Sequence, residues 1–535
     1  MEGIERRFVF LKQLPGVRFR IFHQTGQAVR MAKRRYTSSF LNLFSISLLL
    51  LNGFTILYTR EHSCGILQSM KTILITAGED IITRNILATD FWPTFKEKNT
   101  SARIVLVVQP EREGYFKKIY SDTSVSIESF KRSSPGHLEQ LVMTLARSGI
   151  KSGTNLWSKM RSYERGHSNF IATYVKRFHT FLLGNNNAYK RFLRRIILRL
   201  PSDKNAEKLF DTYHPDVLVA LSLTNFDFDV PLAREAKKRG VKLLGMPRSW
   251  DNFSSHGLLR VVPDVLFLQN VFLKEMALRY QVINETETPM VIVGLPHYDL
   301  YLEKSLIESR EHFYKRNNLD SNKKTILYMG MGEFLFKREG DIIDILETLI
   351  DTKKITEPVQ VLYSPHPKFK SSIERAQQMK NVVLCDEVGY VNNASGSWDS
   401  EKNNTVNFIN LILNCEVSIM GASTNAIDAL TLNKPVICIG FDGVAKEGEI
   451  SYWDSVKRFY DSYTHFEALM DAGAVLKADS SRMLTEQINQ TLKNPIPNSE
   501  ARQRVLERFV EPLGGAGKRL AEAISREIEK IEVKN

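Results

Sequence analysis

From residue 72 onward the chain alternates short runs of Val, Ile and Leu with segments whose apolar residues recur at helical spacing. "TILIT", "RIVLVV", "DVLVALSL", "VKLLGM", "DVLFLQ" and "MVIVG" come first, with the amphipathic "PLAREAKKRG" between the third and fourth. Such continuous apolar runs predict a parallel sheet covered by helices on both faces, because a strand buried on both sides has no polar face to alternate with. The polar stretch "EKSLIESREHFYKRNNLDSNKK" interrupts the pattern, which resumes with "TILYMGMG", "VQVLYSPHP", "NVVLCD", "EVSIMG" and "PVICIGF". The expected fold is α/β: two Rossmann-like doubly wound parallel-sheet domains with a cleft between them. The first covers 71–300, a linker 301–322, the second 323–500, and closing helices 501–535. A chain of 535 residues agrees, since it exceeds what one hydrophobic core usually supports.

Charge sharpens the picture ahead of the domains. The formal net charge is +13, but residues 1–60 hold ten Lys or Arg against two Glu, so most of the excess precedes the folded part. Nucleic acid is therefore not an expected partner. The same region, 1–70, holds 24 uncharged residues between Arg35 and Arg60, "YTSSFLNLFSISLLLLNGFTILYT". That is long enough for a membrane helix, placed at 38–58, although Ser, Asn, Gly and Thr interrupt it. Three readings stand: a signal anchor, an interfacial helix on the cytoplasmic face, or a segment upstream of a start at Met70, where "MKTILITAGED" opens the first domain. In the stretch 110–205, "NAYKRFLRRIILRL" places Phe192, Ile196 and Leu200 on one helix face and arginines on others; it either rests on anionic lipid or packs on its own domain. The four cysteines, Cys64, Cys385, Cys415 and Cys438, show no CxxC spacing and imply neither a metal site nor a disulfide framework.

The chemistry concentrates at strand ends. In "CEVSIMGASTNAIDALTLNKPVICIGFDG" a strand ends at Met420, Gly421 turns the backbone, and Ser423 or Thr424 caps the next helix. Unpaired N–H groups at that helix start suit a phosphate, and Asp428, a turn further on, is placed to reach a sugar hydroxyl. "VQVLYSPHP" ends in His366, followed by Lys368, and "TILYMGMGE" ends in a turn containing Gly330 and Gly332. All lie on the carboxyl edge, where open α/β sheets bind ligands, so a diphosphate can be held there by Lys368, His366 and the helix start without a divalent ion.

"YSPHPK", "GASTNAIDALTLNKPVI", "VIVGLPHYDLY" and "RVLERFVEPLGGAGKRLAEAI" together resemble the GT-B glycosyltransferase superfamily, and within it the CDP-glycerol glycerophosphotransferases and the capsule or surface-polysaccharide transferases. The resemblance covers about 71–530. It implies that the second domain holds a nucleotide-diphosphate donor and the first an acceptor, a glycan or a lipid-linked hydroxyl. Carried over, His366 would contact the donor phosphate, Gly421, Ser423, Thr424 and Asn425 would hold the diphosphate, and Asp428 would approach the ribose or the transferred group. The helix after Gly517 would cross back to the first domain. No cofactor or metal is implied, and the catalytic domains would work at the cytoplasmic face of a membrane.

One departure from the family's pattern is its Trp-His-Gly loop, which this chain lacks; "SWDNFSSHG" (249–257) occupies what looks like the corresponding place. Asp251 or His256 is the candidate general base, Trp250 offers a flat face to a sugar and Asn252 a hydroxyl partner. A turn anchored by a buried Trp explains the same residues without chemistry. Glu79 and Asp80, with Arg84 on the helix that follows, are expected on the acceptor side, though a capped helix start explains them equally. Two other functions share this layout: an isomerase resembling UDP-N-acetylglucosamine 2-epimerase, and a non-catalytic nucleotide- or glycan-binding scaffold.

Overall fold

The computed structural model describes residues 70–223, 228–366, 369, 372–385, 402–495 and 498–531. The basic region with its apolar run at 38–58, most of the loop "TNFDFD" and Lys368 therefore lie outside the described residues. Among those described, no helix is long and apolar enough to cross a membrane.

Two parallel sheets carry the fold. The first has seven strands: β1 (Thr72–Ala77), β2 (Arg103–Val108), β3 (Val125–Ser129), β4 (Val217–Ala220), β5 (Lys242–Gly245), β6 (Val265–Leu268) and β7 (Met290–Ile292). Their spatial order is β3-β2-β1-β4-β5-β6-β7, every pairing parallel. The second has six: β8 (Lys324–Met329), β9 (Val359–Ser364), β10 (Val382–Leu384), β11 (Val417–Met420), β12 (Val436–Ile439) and β13 (Leu476–Ala478), in the order β10-β9-β8-β11-β12-β13. Each sheet thus reverses its direction of growth once, between β1 and β4 and between β8 and β11. At such a switch point adjacent strand ends diverge and leave a crevice for a ligand. The expected pair of doubly wound α/β domains is present.

The period of two along each strand sorts the cores. Ile73 and Ile75 of β1 join Ile104, Leu106, Phe91 and Phe95 on one side, while Leu74 joins Val105, Val107 and Leu218 on the other. The first side is closed by the last helix, Ala516–Glu529, whose Leu520 and Ile524 are fully buried there. Asn99 donates to Ser525 Oγ at 2.8 Å and Lys71 to the Ile528 carbonyl at 2.9 Å, so a helix that follows the second domain is built into the first.

That helix starts on a borrowed cap. Gly515 precedes it in a left-handed conformation (φ +66°), and the carboxylate of Asp299 accepts the N–H of Ala516 and of Gly517, both at 2.9 Å. A carboxylate on otherwise unpaired N–H groups at the positive end of a helix is stabilising by about 1 kcal/mol. Asp299→Ala is expected to lower unfolding stability by about that amount, read from the denaturant midpoint at unchanged slope.

The helix Asn187–Arg199 packs on its own domain. Its buried face is Lys190, Leu193, Arg194 and Ile197, with Leu200 just beyond; Phe192 points to solvent and Ile196 is half-buried. Phe192, Ile196 and Leu200, expected on one face, are thus exposed, half-buried and buried in turn. The buried cations are tolerated because Lys190 donates to the Tyr280 carbonyl and Arg194 to the Leu259 carbonyl, each at 2.9 Å.

Candidate active site

The carboxyl edges of the two sheets enclose a cavity of about 410 Å³. From the second domain, Gly330 (after β8), His366 (after β9) and Ser423, Thr424, Asn425 and Asp428 (after β11) line it. From the first come Arg84, Trp250 and Asp251. Residues more than a hundred positions apart are therefore on one wall, because both switch points open into the same space.

His366 is held by Phe369: its Nδ1 accepts the N–H of that residue at 3.1 Å and its ring stacks on the phenylalanine, centroids 4.6 Å apart. A nitrogen that accepts a backbone N–H carries no proton in the neutral ring, so Nε2 bears it. His366 is thus arranged as a donor, suited to a phosphate oxygen.

The helix after β11 is short, Asn425–Thr431. Ser423 Oγ accepts Asn425 N at 3.3 Å, and Thr424 Oγ1 accepts the indole N–H of Trp250 at 3.1 Å. Gly421 is not on the cavity wall; a Cβ there would lie 2.0 Å from the Met331 sulfur, so the glycine lets Met331 close over the turn. Gly332, also off the wall, turns at φ +76°.

Gly330 sits over a buried acid. A Cβ on it would lie 2.0 Å from Oε1 of Glu339, a side chain with no solvent exposure that accepts the Tyr363 hydroxyl at 2.8 Å. Burial pushes the Glu339 carboxyl up to about 7, against the hydrogen bonds from Tyr363 and Gly332. Between about pH 4.5 and 7 the folded chain therefore keeps a proton that the unfolded chain has released, and stability falls as pH rises through this window, by about 1.4 kcal/mol per unit. Asp229, also pushed to about 7 by burial, adds a slope of the same sign. Glu339→Gln is expected to be more stable than wild type at pH 8 by about 1–3 kcal/mol and indistinguishable near pH 5, as urea unfolding at both values would show.

The loop "SWDNFSSHG" folds as a turn and one helical stretch, Asn252–Ser255. Asp251 Oδ2 accepts the Ser255 hydroxyl at 2.8 Å and lies 3.9 Å from His256 Nε2. Burial pushes this carboxyl up, but His465, His256, Ser249 and Ser255 outweigh it and hold it well below the usual carboxylate range. His256 stands behind Asp251, off the cavity wall, and burial lowers its affinity for a proton. Asn252 is completely buried; its side-chain oxygen accepts the N–H groups of Arg248 and Ser249, both at 3.1 Å, so it shapes the loop and does not reach the cavity. Trp250 is 5 % exposed, packed edge-on against His465 and Phe509, so its ring joins the two domains instead of lying open as a platform. Glu79 is ion-paired with Arg248 and accepts from Ser222, Asp80 is paired with Arg112 at 2.6 Å, and neither lines the cavity.

Cavity residues not expected from the sequence as site residues include His297, Tyr298, Tyr301 and His465. The first three lie in "LPHYDLY", a motif visible for its family likeness whose side-chain roles depend on what it folds against. Tyr301 donates to Asp428 Oδ1 at 3.0 Å and Tyr298 also hydrogen-bonds this carboxyl. Asp428 is raised by burial, with both tyrosines and Arg84 opposing. His297 is driven well below its ordinary value by burial and by Arg84, so it is neutral at neutral pH. His465, at the second position of the helix Thr464–Asp471, is likewise lowered by burial, with Asp251 opposing. Arg84 reaches the wall because the helix after β1 widens into a π-turn over Thr83–Leu87, which turns Arg84 and Asn85 to the cavity.

Two sheets of Rossmann order, carboxyl edges on one cavity, and a final helix returned to the first domain make a single recognisable arrangement. The chain has a GT-B fold. Solved structures similar to it include a UDP-GlcNAc 2-epimerase from Methanocaldococcus jannaschii (13% identity, TM-score 0.45, 85% of this chain and 99% of that one). A glycosyltransferase from Rickettsia africae ESF-5 (12%, 0.45, 87% and 100%) and the wall teichoic acid polymerase TagF (12%, 0.43, 86% and 89%) are similar to the same extent. At these identities the likeness concerns the fold. No protein-family model and no curated protein matches the sequence. Among the described residues of this GT-B chain, no group of three or more His, Cys, Asp or Glu is placed to hold a metal ion.

Proposed function

We propose that this protein is a transferase that moves a glycosyl or glycerol-phosphate group from a nucleotide-diphosphate donor to a hydroxyl of a surface glycan or lipid-linked acceptor. The supporting observation is the shared cavity, whose lining holds a histidine N–H and hydroxyl groups after β9 and β11, the ionised carboxylate of Asp251 from the first domain and the neutral imidazole of His465 from the second. In glycosyl transfer the acceptor oxygen bonds to the anomeric carbon and the nucleoside diphosphate leaves; in glycerol-phosphate transfer it bonds to phosphorus and the nucleoside monophosphate leaves. Either way the acceptor hydroxyl loses a proton and the leaving phosphate gains negative charge.

Asp251 and His465 take the proton: the imidazole receives it and the carboxylate beside it stabilises the cation formed. His256, behind Asp251, is a positioning residue. His366 Nε2–H, the N–H and hydroxyl groups of Ser423, Thr424 and Asn425, and the Arg84 guanidinium meet the phosphate charge, in a role that a divalent ion would otherwise fill. Asp428 faces the ribose or the transferred group from beneath. Lys368, two residues beyond His366, belongs to the same proposal. The same reading puts the reaction in the cytoplasm, the compartment of nucleotide-activated donors, at the face of a membrane.

Incubation with CDP- and UDP-linked donors, with nucleotide release measured in the presence and absence of EDTA, tests this reading. Release with at least one donor, retained in EDTA and lost in His366→Ala, is expected. A donor converted to an isomer without nucleotide release would replace the transferase by an epimerase-type reaction, and tight binding without turnover would leave a scaffold.

A further inference from the structure

The helix Phe170–Leu183 is built inside out. Phe170, Ile171, Tyr174, Val175, Phe178, Phe181 and Leu182 are each between 41 % and 73 % exposed. At about 100° per residue they fill one arc of about 140°. The opposite, buried face is polar: Thr180 donates to the Ser148 carbonyl at 2.8 Å and accepts from Lys159 at 2.6 Å, Thr173 donates to Ser168 at 2.9 Å, and His179 meets the Tyr189 hydroxyl at 2.6 Å. An ordinary surface helix shows the reverse, and an apolar stripe this wide marks a contact surface.

The charge around the stripe identifies its partner. From Lys151 to Arg199 the chain carries eleven Lys or Arg and a single acid, Glu164. Lys151 lies 4.6 Å over the Phe181 ring and Arg177 5.0 Å over Tyr174, so cations flank the stripe itself. The next helix, Asn187–Arg199, exposes Phe192 between Arg191 and Arg195. Aromatic and aliphatic side chains in a plane, ringed by cations and almost without carboxylates, match an interface of acyl chains beneath anionic headgroups. Tyr174, Phe178 and Phe181 also border a cavity of about 830 Å³ that Asp461, Glu467 and Asp471 line as well.

We propose that Phe170–Leu183 is a membrane-docking helix that lays its phenylalanine face into the surface of an anionic bilayer. The proposal is independent of the reaction. It is tested by co-sedimentation of the full chain with phosphatidylglycerol or phosphatidylcholine vesicles, comparing wild type with Phe178→Glu/Phe181→Glu and with Phe178→Leu/Phe181→Leu. The expected result is a preference for phosphatidylglycerol that weakens with salt. Partitioning should fall by at least about tenfold in the glutamate variant and persist in the leucine variant. Equal partitioning of the glutamate variant and wild type overturns the proposal. Two companion measurements name the replacement: if that variant changes from dimer to monomer in sedimentation velocity, the face binds a second copy; if its unfolding midpoint drops, the face is covered by another part of this chain.

Discussion

Asp251→Asn is expected to lower kcat by about 10²- to 10⁴-fold, the range over which a positioned acid–base group acts, with little change in donor KM. The substitution keeps the shape of the side chain and an oxygen that can accept the Ser255 hydroxyl, so the loop should hold. What it removes is the charge that opposes the effect of burial on His465 and His256. Without that carboxylate an imidazolium formed during the reaction has no counter-charge. The pH profile checks the same assignment from another side. Asp251 is held far below neutrality and His465 below its ordinary value of 6.5, so the acid limb of kcat should fall below that pH in the wild type. In Asp251→Asn it should move lower still. Wild-type turnover in this variant would end the base assignment while leaving the donor site untouched.

Asp428→Ala should cost about 3–5 kcal/mol of stability, the scale for removing one member of a buried polar and ionic cluster. The carboxyl comes from the second domain; the tyrosine hydroxyls that point at it, and Arg84, come from the segments after β7 and β1 of the first. Its removal leaves two buried hydroxyls without this acceptor and the half-buried Arg84 guanidinium with less negative charge beside it. Asp428→Asn keeps an acceptor and should recover much of the loss. The pair separates structure from binding: if Asp428 also holds a hydroxyl of the donor, the asparagine variant will fold nearly as well as wild type yet show a raised donor KM. Chemical unfolding and steady-state kinetics on the two proteins provide both readings.

The elements that position this site were legible because strands buried on both faces must be apolar throughout. "TILITA", "RIVLVV" and "VQVLYS" therefore stand out without any knowledge of their neighbours, and the residues after them fall on the carboxyl edge. His366, Ser423, Thr424, Asn425 and Asp251, read as residues that follow a strand, line the cavity. Glu79 and Asp80 follow a strand too, yet they are consumed by Arg248 and Arg112, cations supplied from elsewhere in the chain. His465 could not be found by the same logic, since it enters the cavity from a helix start far from any strand end of the pattern.

The sequence by itself determined the two sheets, their strand ends and the grouping of side chains onto faces, because the periods of 2 and 3.6 are properties of the local backbone. Only the tertiary structure decided which way each face turns and what it meets. The stripe of Phe170, Tyr174, Phe178 and Phe181 reads in the sequence like any core-facing helix, and becomes an exposed surface because Thr173 and Thr180 occupy the buried side. Trp250 meets Thr424, and Asp428 meets Tyr301, across separations of more than a hundred residues. Those encounters follow from the packing of two domains, and no local spacing encodes them.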